Sequence, residues 1–469
     1  MSQPSRRQTL APHHEPLRVD VGYLGNLLGE VLRDQGGLEL YEAVEEARLA
    51  CISRREKGES PKTLLGDFSD LSVDQATLLV RAFATYFSLT NLAEQVHRTR
   101  RRRDYQFEER AQPGSLEAVF SSFKHIDPTR LRDAIDQLSI TPVFTAHPTE
   151  AIRRTILKKE QRIARALVDR IEMPQRTPVE DHRITEQIRA EVGLIWQTAG
   201  QASTRPTVAD EVEHILFFLT EVIYRVVPPF REKLEKVAAY YLGSGVVSEK
   251  PLVPVRFGSW VGGDMDGNPN VGADTVLATL RRQRSLILHK YRTEVRTLFE
   301  HLSQSDARVG ISKAILEKTA EYKKQFPSTL GDIPARYHEM PYRSLLWMVW
   351  HRLGLTETQE AGGYPAPEAL IDDLEIIDQS LTENQGARAG RHLVRRLLTR
   401  VRTFGFHLAM LDLRQDAELH RTVLAEYLGD EEFASRDAKE RTRLLEEALE
   451  KPLKTQASPS EDLSKTLDV

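Results

Sequence analysis

His147 stands in the run Val143-Phe-Thr-Ala-His147-Pro-Thr-Glu150, and Arg153 and Arg154 follow a few residues later. An imidazole can exchange a proton near neutral pH, and two guanidinium groups beside it can hold an anion. The second chemical run is Arg256-Phe-Gly-Ser-Trp260-Val-Gly262-Gly263-Asp264-Met-Asp266-Gly-Asn268-Pro, dense in glycines and carboxylates. The third, Met410-Leu-Asp412-Leu-Arg414-Gln-Asp416, ends an apolar stretch in Asp-x-Arg-Gln. Together they offer a proton acceptor, cationic groups, an indole wall and glycines that let backbone approach a ligand. Each also has a plain alternative: a satisfied histidine in a strand-to-helix turn, solvent-facing arginines, a core tryptophan.

The elements that must present these residues are short strands. Ile140-Thr-Pro-Val-Phe-Thr, Leu252-Val-Pro-Val and the apolar run from Phe404 are β-branched or aromatic, and each stops at polar residues. Long helical stretches separate them, which predicts β-α units whose strand ends point at one site, the usual place for anionic ligands in α/β folds. His407 alternates within the third apolar run and reads as a hydrogen-bonded core residue. Residues 1–17 have the composition of a flexible tail, and 18–138 read as an N-terminal helical region. In that region 76–87 forms a helix apolar enough to be buried. Helical patterns then cover 151–172, 180–243, 273–306 and 339–353, and a charged, solvent-facing helix covers 430–451. No solenoid repeat is present.

Several other patterns carry less than they suggest. The arginines at 98–103 lack interleaved aromatics and read as a solvated helix end, not a nucleic-acid site. Asp264-x-Asp266-x-Asn268 begins like a calcium loop, but Pro269 and Thr275 stand where that loop needs glycine and glutamate. No Gly-Lys-Ser/Thr follows the glycines at 262, 263 and 267, so they are not a Walker loop. A formal net charge of −4 over 469 residues gives no bulk attraction to nucleic acid or an anionic membrane. Cys51 is the single cysteine, which excludes an intrachain disulfide framework and a cysteine-metal cluster. With neither a signal-peptide pattern nor an apolar run long enough to span a bilayer, the expected location is the cytoplasm.

At these residues the sequence resembles the phosphoenolpyruvate carboxylase family. Thr-Ala-His-Pro-Thr-Glu with paired arginines fits the family's histidine signature. The 259–269 run looks like its Ser-Trp-x-Gly-Gly-Asp-x-Asp-Gly-Asn-Pro block, and 412–415 is similar to its Asp-x-Arg-Gln block. Asn91-Leu-Ala-Glu94 and Trp196-Gln-Thr … Thr204-Arg-Pro-Thr-Val-Ala-Asp210-Glu share the family's look. Met265 departs from the usual arginine between the two aspartates. The chain is about half the length of a typical member. It lacks the Gly-Tyr-Ser-Asp-Ser-x-Lys-Asp and Gly-Arg-Gly-Gly segments.

The resemblance implies a mainly α protein with α/β: N-terminal helices plus the first strands of a TIM-like (β/α)8 barrel, incomplete here, with 139–469 as a partial barrel carrying long helical insertions. It implies phosphoenolpyruvate and bicarbonate as substrates, giving oxaloacetate and phosphate in an anaplerotic lyase reaction. His147 would be the catalytic base. Arg414 would contact phosphate, and Trp260 would wall the methylene side of the substrate. Arg153, Arg154, Gly262, Gly263, Asp264, Asp266 and Asn268 would shape the site. A divalent cation, Mg2+ or Mn2+, would be held by ligands in the missing C-terminal half, so the chain itself would supply no metal ligand. The full-length family form would be a homo-oligomer, a tetramer. The expectation is an N-terminal portion inactive alone; the alternatives are one half of a split enzyme, or a non-catalytic remnant acting as a binding or scaffold protein.

Overall fold

The computed structural model describes residues 12–58, 71–123, 125–145, 154–198, 206–243, 254–328, 335–450 and 459–468. Contacts divide the chain into two units: 1–119 with 152–205, and 120–151 with 206–469.

The first unit is helical. Its helices are α1 (Glu15–Lys57), α2 (Val73–Phe107), α5 (Arg154–Glu172) and α6 (Pro178–Gln197), with α3 (Leu116–Ser122) beginning at its edge. Their starts are written in the sequence. Ser72 and Gln75 form a capping box before α2, as do Thr177 and Glu180 before α6, where Pro178 occupies the first turn. Helix α1 is interrupted at Gly37, whose φ of 84° is left-handed. Leu24, Leu28, Leu89, Ile163, Ile188 and Val192 lie at helical spacing and share one core. Residues 12–17, which composition assigns to a tail, form a 3-10 turn and open α1; 1–11 lie outside the described residues. Helix α2 buries one face only: Ala82, Leu89 and Ala93 are inside, whereas Val73, Val80 and Phe87 are exposed, which corrects the expectation of a buried helix. Helices α5 and α6, beyond the sequence boundary at 138, pack with α1 and α2.

The second unit opens with α4 (Pro128–Asp136) and holds the strands. β1 (Val143–Phe144), β2 (Gly258–Ser259) and β3 (Met410–Leu411) form a parallel sheet in that order, with Val143 opposite Gly258 and Gly258 opposite Met410. Between β1 and β2 the unit carries α7 (Val208–Phe217), a π-helical segment at Phe218–Ile223 and α8 (Tyr224–Leu242), which continues through Pro228 and Pro229. Between β2 and β3 come α9 (Ala273–His301), α10 (Lys313–Gln325) and helices at Pro341–Thr358, Pro367–Glu383 and Arg391–Phe404. Ile287, Leu288, Tyr291 and Val295 of α9 share a core with Leu345, Leu346, Val349 and Leu353. The tyrosine hydroxyl, fully buried, donates to the Gly405 carbonyl at 2.8 Å, which ties the start of β3's approach to α9. The chain is thus mainly helical with a small parallel sheet.

His407 lies in the turn between the Arg391–Phe404 helix and β3, not in a strand. Gly405 ends that helix at φ 52° and Leu408 sits at φ 64°, so the backbone reverses before pairing begins at Met410. His407 is exposed, not the core residue its sequence position suggested; partial desolvation of the ring, and then Arg256, lower its pKa. The charged helix expected over 430–451 is confined to Ala438–Leu449, where Asp437 caps it.

Candidate active site at the strand ends

The carboxyl ends of β1, β2 and β3 are laced together beyond the last formal strand residues. Trp260 N donates to the Phe144 carbonyl at 2.8 Å, and Asp412 N donates to the Ser259 carbonyl at 2.9 Å. Arg414 N then donates to the Gly263 carbonyl at 3.0 Å, and Met265 N donates to the Arg414 carbonyl at 2.8 Å. Asp264 and Arg414 are therefore bridge partners, although 150 residues separate them. The turn before Asp264 needs its glycines. Gly262 has φ 91°, with Thr279 packed where a Cβ would go. A Cβ on Gly263 would stand 2.5 Å from the Asp412 carbonyl oxygen.

This backbone brings three side chains into contact. Arg414 Nη1 donates to Asp264 Oδ2 at 3.0 Å, and its guanidinium carbon lies 3.9 Å from the centre of the Trp260 ring. The ion pair is half-open: the arginine side chain is 38% exposed and the aspartate 16%. Asp264 is the only acidic partner of Arg414 among the described residues. A pair this accessible contributes about 0.2–1 kcal/mol, and the cation–π contact about 0.5–1 kcal/mol. These energies fix an orientation and leave the remaining guanidinium donors available to an anion. The second carboxylate oxygen, Asp264 Oδ1, is buried without a hydrogen-bond partner.

Trp260, Gly262, Gly263, Asp264 and Arg414 thus lie together at the strand ends. The Asp264–Arg414 pairing is what sequence reading missed; the available signal was that each follows a predicted strand by a few residues. Asn268 orders the turn itself, its Oδ1 accepting from Asn270 N at 3.1 Å. Asp266 is exposed. Met265 contributes its backbone N–H, and no ion pair can form from its side chain. Arg154 begins α5 in the first unit and is half-buried. His147 and Arg153 lie outside the described residues.

Among the described residues no three His, Cys, Asp or Glu side chains converge as a metal site requires. Asp264 already spends one oxygen on Arg414, so this donor set does not fit a divalent cation. No helix among the described residues is long and apolar enough to cross a membrane.

A parallel sheet that gathers an oriented arginine, an indole and a glycine turn at its carboxyl edge is the kind of place where α/β folds hold anions, which makes this a candidate site. Comparison with known proteins makes the class specific. The sequence pattern of the family "Phosphoenolpyruvate carboxylase" matches residues 17–469. A phosphoenolpyruvate carboxylase of Xanthomonas oryzae pv. oryzae is 42% identical over 436 residues, covering 92% of this chain and 48% of that protein. The one from Ralstonia nicotianae is 36% identical over 449 residues, covering 90% and 44%. The one from Roseiflexus castenholzii is 30% identical over 466 residues, covering 93% and 49%. The chain belongs to the phosphoenolpyruvate carboxylase family. It spans about half the length of the curated relatives it matches.

Proposed function

We propose that this chain supplies one part of a phosphoenolpyruvate carboxylase site, in which phosphoenolpyruvate and bicarbonate give oxaloacetate and phosphate. The observation that carries the reading is Arg414, held 3.9 Å over the Trp260 ring and paired with Asp264 at the carboxyl edge of a parallel sheet. Bicarbonate oxygen attacks phosphorus, the phosphorus–enol oxygen bond breaks, and carboxyphosphate and pyruvate enolate result. Carboxyphosphate then releases carbon dioxide and phosphate, and the enolate carbon attacks carbon dioxide. Both substrates are anions, so fixed positive charge must offset their repulsion and the charge that develops at phosphorus.

Arg414 takes the phosphate-contacting role through the donors that Asp264 leaves unused. Trp260 walls the methylene carbon and, with the turn at 262–263, keeps water from enolate and carbon dioxide. His147 accepts the carboxyphosphate proton, which promotes collapse to carbon dioxide. Arg153 and Arg154 orient the histidine turn. Asp264, Asp266 and Asn268 order the loop and do not ligate a metal; magnesium or manganese would require donors beyond the described residues. The exposed residues Ile140, Val143, Met410 and Leu413 along the outer strands support further strands adding there to complete a TIM-like barrel, because open parallel edges with apolar flanks invite pairing. The setting of this chemistry would be cytoplasmic, in a homo-oligomer.

The test is a malate dehydrogenase-coupled assay with phosphoenolpyruvate, bicarbonate and magnesium. It is run on the chain alone and on the chain mixed with the part of the Xanthomonas oryzae relative that the chain does not match. Bicarbonate-dependent oxaloacetate is expected only in the mixture and is expected to be lost in His147→Asn. Robust turnover by the chain alone would contradict the division of labour. A stable, folded complex without turnover would contradict the catalytic reading.

A further inference from the structure

The Thr207-Val-Ala-Asp210-Glu211 segment singled out in the sequence has no part in the strand-end cluster. It borders a pocket of about 910 Å³ within the second unit, between the first turns of α7 and α9. Pro206, Val208, Val212 and Ala278 give this pocket apolar walls, and Asn268 and Thr275 lie on its remaining side. The volume suits a small organic ligand.

Glu211 decides its chemistry. The residue is 6% exposed, its side chain lines the pocket, and no hydrogen bond or ion pair reaches its carboxylate among the described residues. Among the described residues the open space beside Glu211 is this pocket. A carboxylate buried to this extent is costly unless a donor or cation meets it. Its place in the first turn of α7 compensates weakly, through the helix dipole. The neighbouring charges do not compensate either. Arg282 is the one basic residue lining the pocket among the described residues, and it is engaged by Glu213, with Nη2 to Oε2 at 3.2 Å. Asp274 adds another negative charge at the rim. Burial, and then Asp210, raise the Glu211 pKa, as expected for a carboxylate waiting for a partner. A bare metal ion fits poorly, because no three ligating side chains converge among the described residues.

We infer that this pocket binds a small organic cation, a primary ammonium carried on an apolar body, with the ammonium against Glu211. The inference stands apart from the carboxylase reading, since it concerns neither Arg414 nor His147.

The experiment is calorimetric titration of the full chain with 1,4-diaminobutane at mildly alkaline pH. Butan-1-ol serves as the neutral control, and magnesium chloride is titrated separately. Saturable diamine binding is expected, with no matching heat from the alcohol. Glu211→Gln, close in shape, should weaken it at least about tenfold, the usual loss when a charge-assisted hydrogen bond is removed. Affinity should also fall as pH is lowered through the raised Glu211 pKa. Ala278→Leu, on an exposed wall position, should block the pocket without touching the carboxylate, which covers the case in which the Glu211 variant misfolds. Absence of diamine binding would overturn the inference, as would equal affinity in Glu211→Gln or equal binding of butan-1-ol. Magnesium bound in a Glu211-dependent way would overturn the organic assignment.

Discussion

The second unit contains the same three-part contact twice, once closed and once open. In the closed copy Arg352 lies 4.0 Å over the Tyr364 ring and 3.8 Å from Asp373, which is 1% exposed. Asp373 accepts from the Tyr322 hydroxyl at 2.7 Å and from Tyr364 at 2.5 Å, and Arg352 Nε donates to the Gly362 carbonyl at 3.1 Å. In the open copy Arg414 lies 3.9 Å over Trp260 and 3.0 Å from Asp264, with spare guanidinium donors and one orphaned carboxylate oxygen. An arginine, an aromatic face and an aspartate therefore do not identify a site. What separates the two is satisfaction. The first knot uses its polar atoms to pin the glycine loop at 362–363 inside the fold, whereas the second holds an arginine still while leaving it able to bind.

This contrast makes predictions that run from stability to function. Asp373→Ala strands two tyrosine hydroxyls and a buried guanidinium and should cost about 3–5 kcal/mol, read as a shift in the urea midpoint of the full chain. Gly263→Ala forces a Cβ against the Asp412 carbonyl and should cost about 1–3 kcal/mol in the same measurement. The closed knot should also leave a pH signature. Burial, the largest influence on Asp373, raises its pKa despite the tyrosine hydrogen bonds and the nearby Lys318 and Arg352. The folded carboxyl thus holds its proton more tightly than the unfolded one. Its contribution to stability is fullest below the ordinary aspartate range and declines as pH rises through the raised value. Urea midpoints across that range should lose this slope in Asp373→Asn. Arg414→Ala, by contrast, removes both the ion pair and the ring contact and should change stability by no more than about 2 kcal/mol. A stability loss as large as that of Asp373→Ala would erase the distinction between the two knots.

The sequence made much of the open site legible and little of the closed one. The runs ending at Trp260 and Arg414 announce themselves, because an apolar strand that stops at Gly-Gly-Asp or Asp-x-Arg-Gln has few structural reasons to do so. Their mutual placement was not legible: Asp264 meets Arg414 across 150 residues through a parallel bridge, and no local spacing encodes that. His407 was misread for a related reason. Phe404 and Phe406 look like strand residues, but Phe404 closes a helix and Gly405 reverses the chain, so tertiary packing overrides the alternation. The Asp373 knot was invisible because Arg352, Tyr322, Tyr364 and Asp373 come from separate helices and a loop, and each residue alone looks like an ordinary surface or core choice. On α2, apolar residues at Val80 and Phe87 suggested burial, yet a helix can bury one stripe and leave others outside.

The central claim is that Arg414 is the phosphate-contacting group this chain brings to a carboxylase site. It is tested most directly by measuring the KM for phosphoenolpyruvate in the complemented mixture, with wild-type chain and with Arg414→Lys. Lysine keeps the charge but loses the planar fork and the guanidinium contact over Trp260. The account predicts a KM raised about tenfold or more, with the protein folded and its urea midpoint essentially unchanged. A KM and kcat equal to wild type would contradict it.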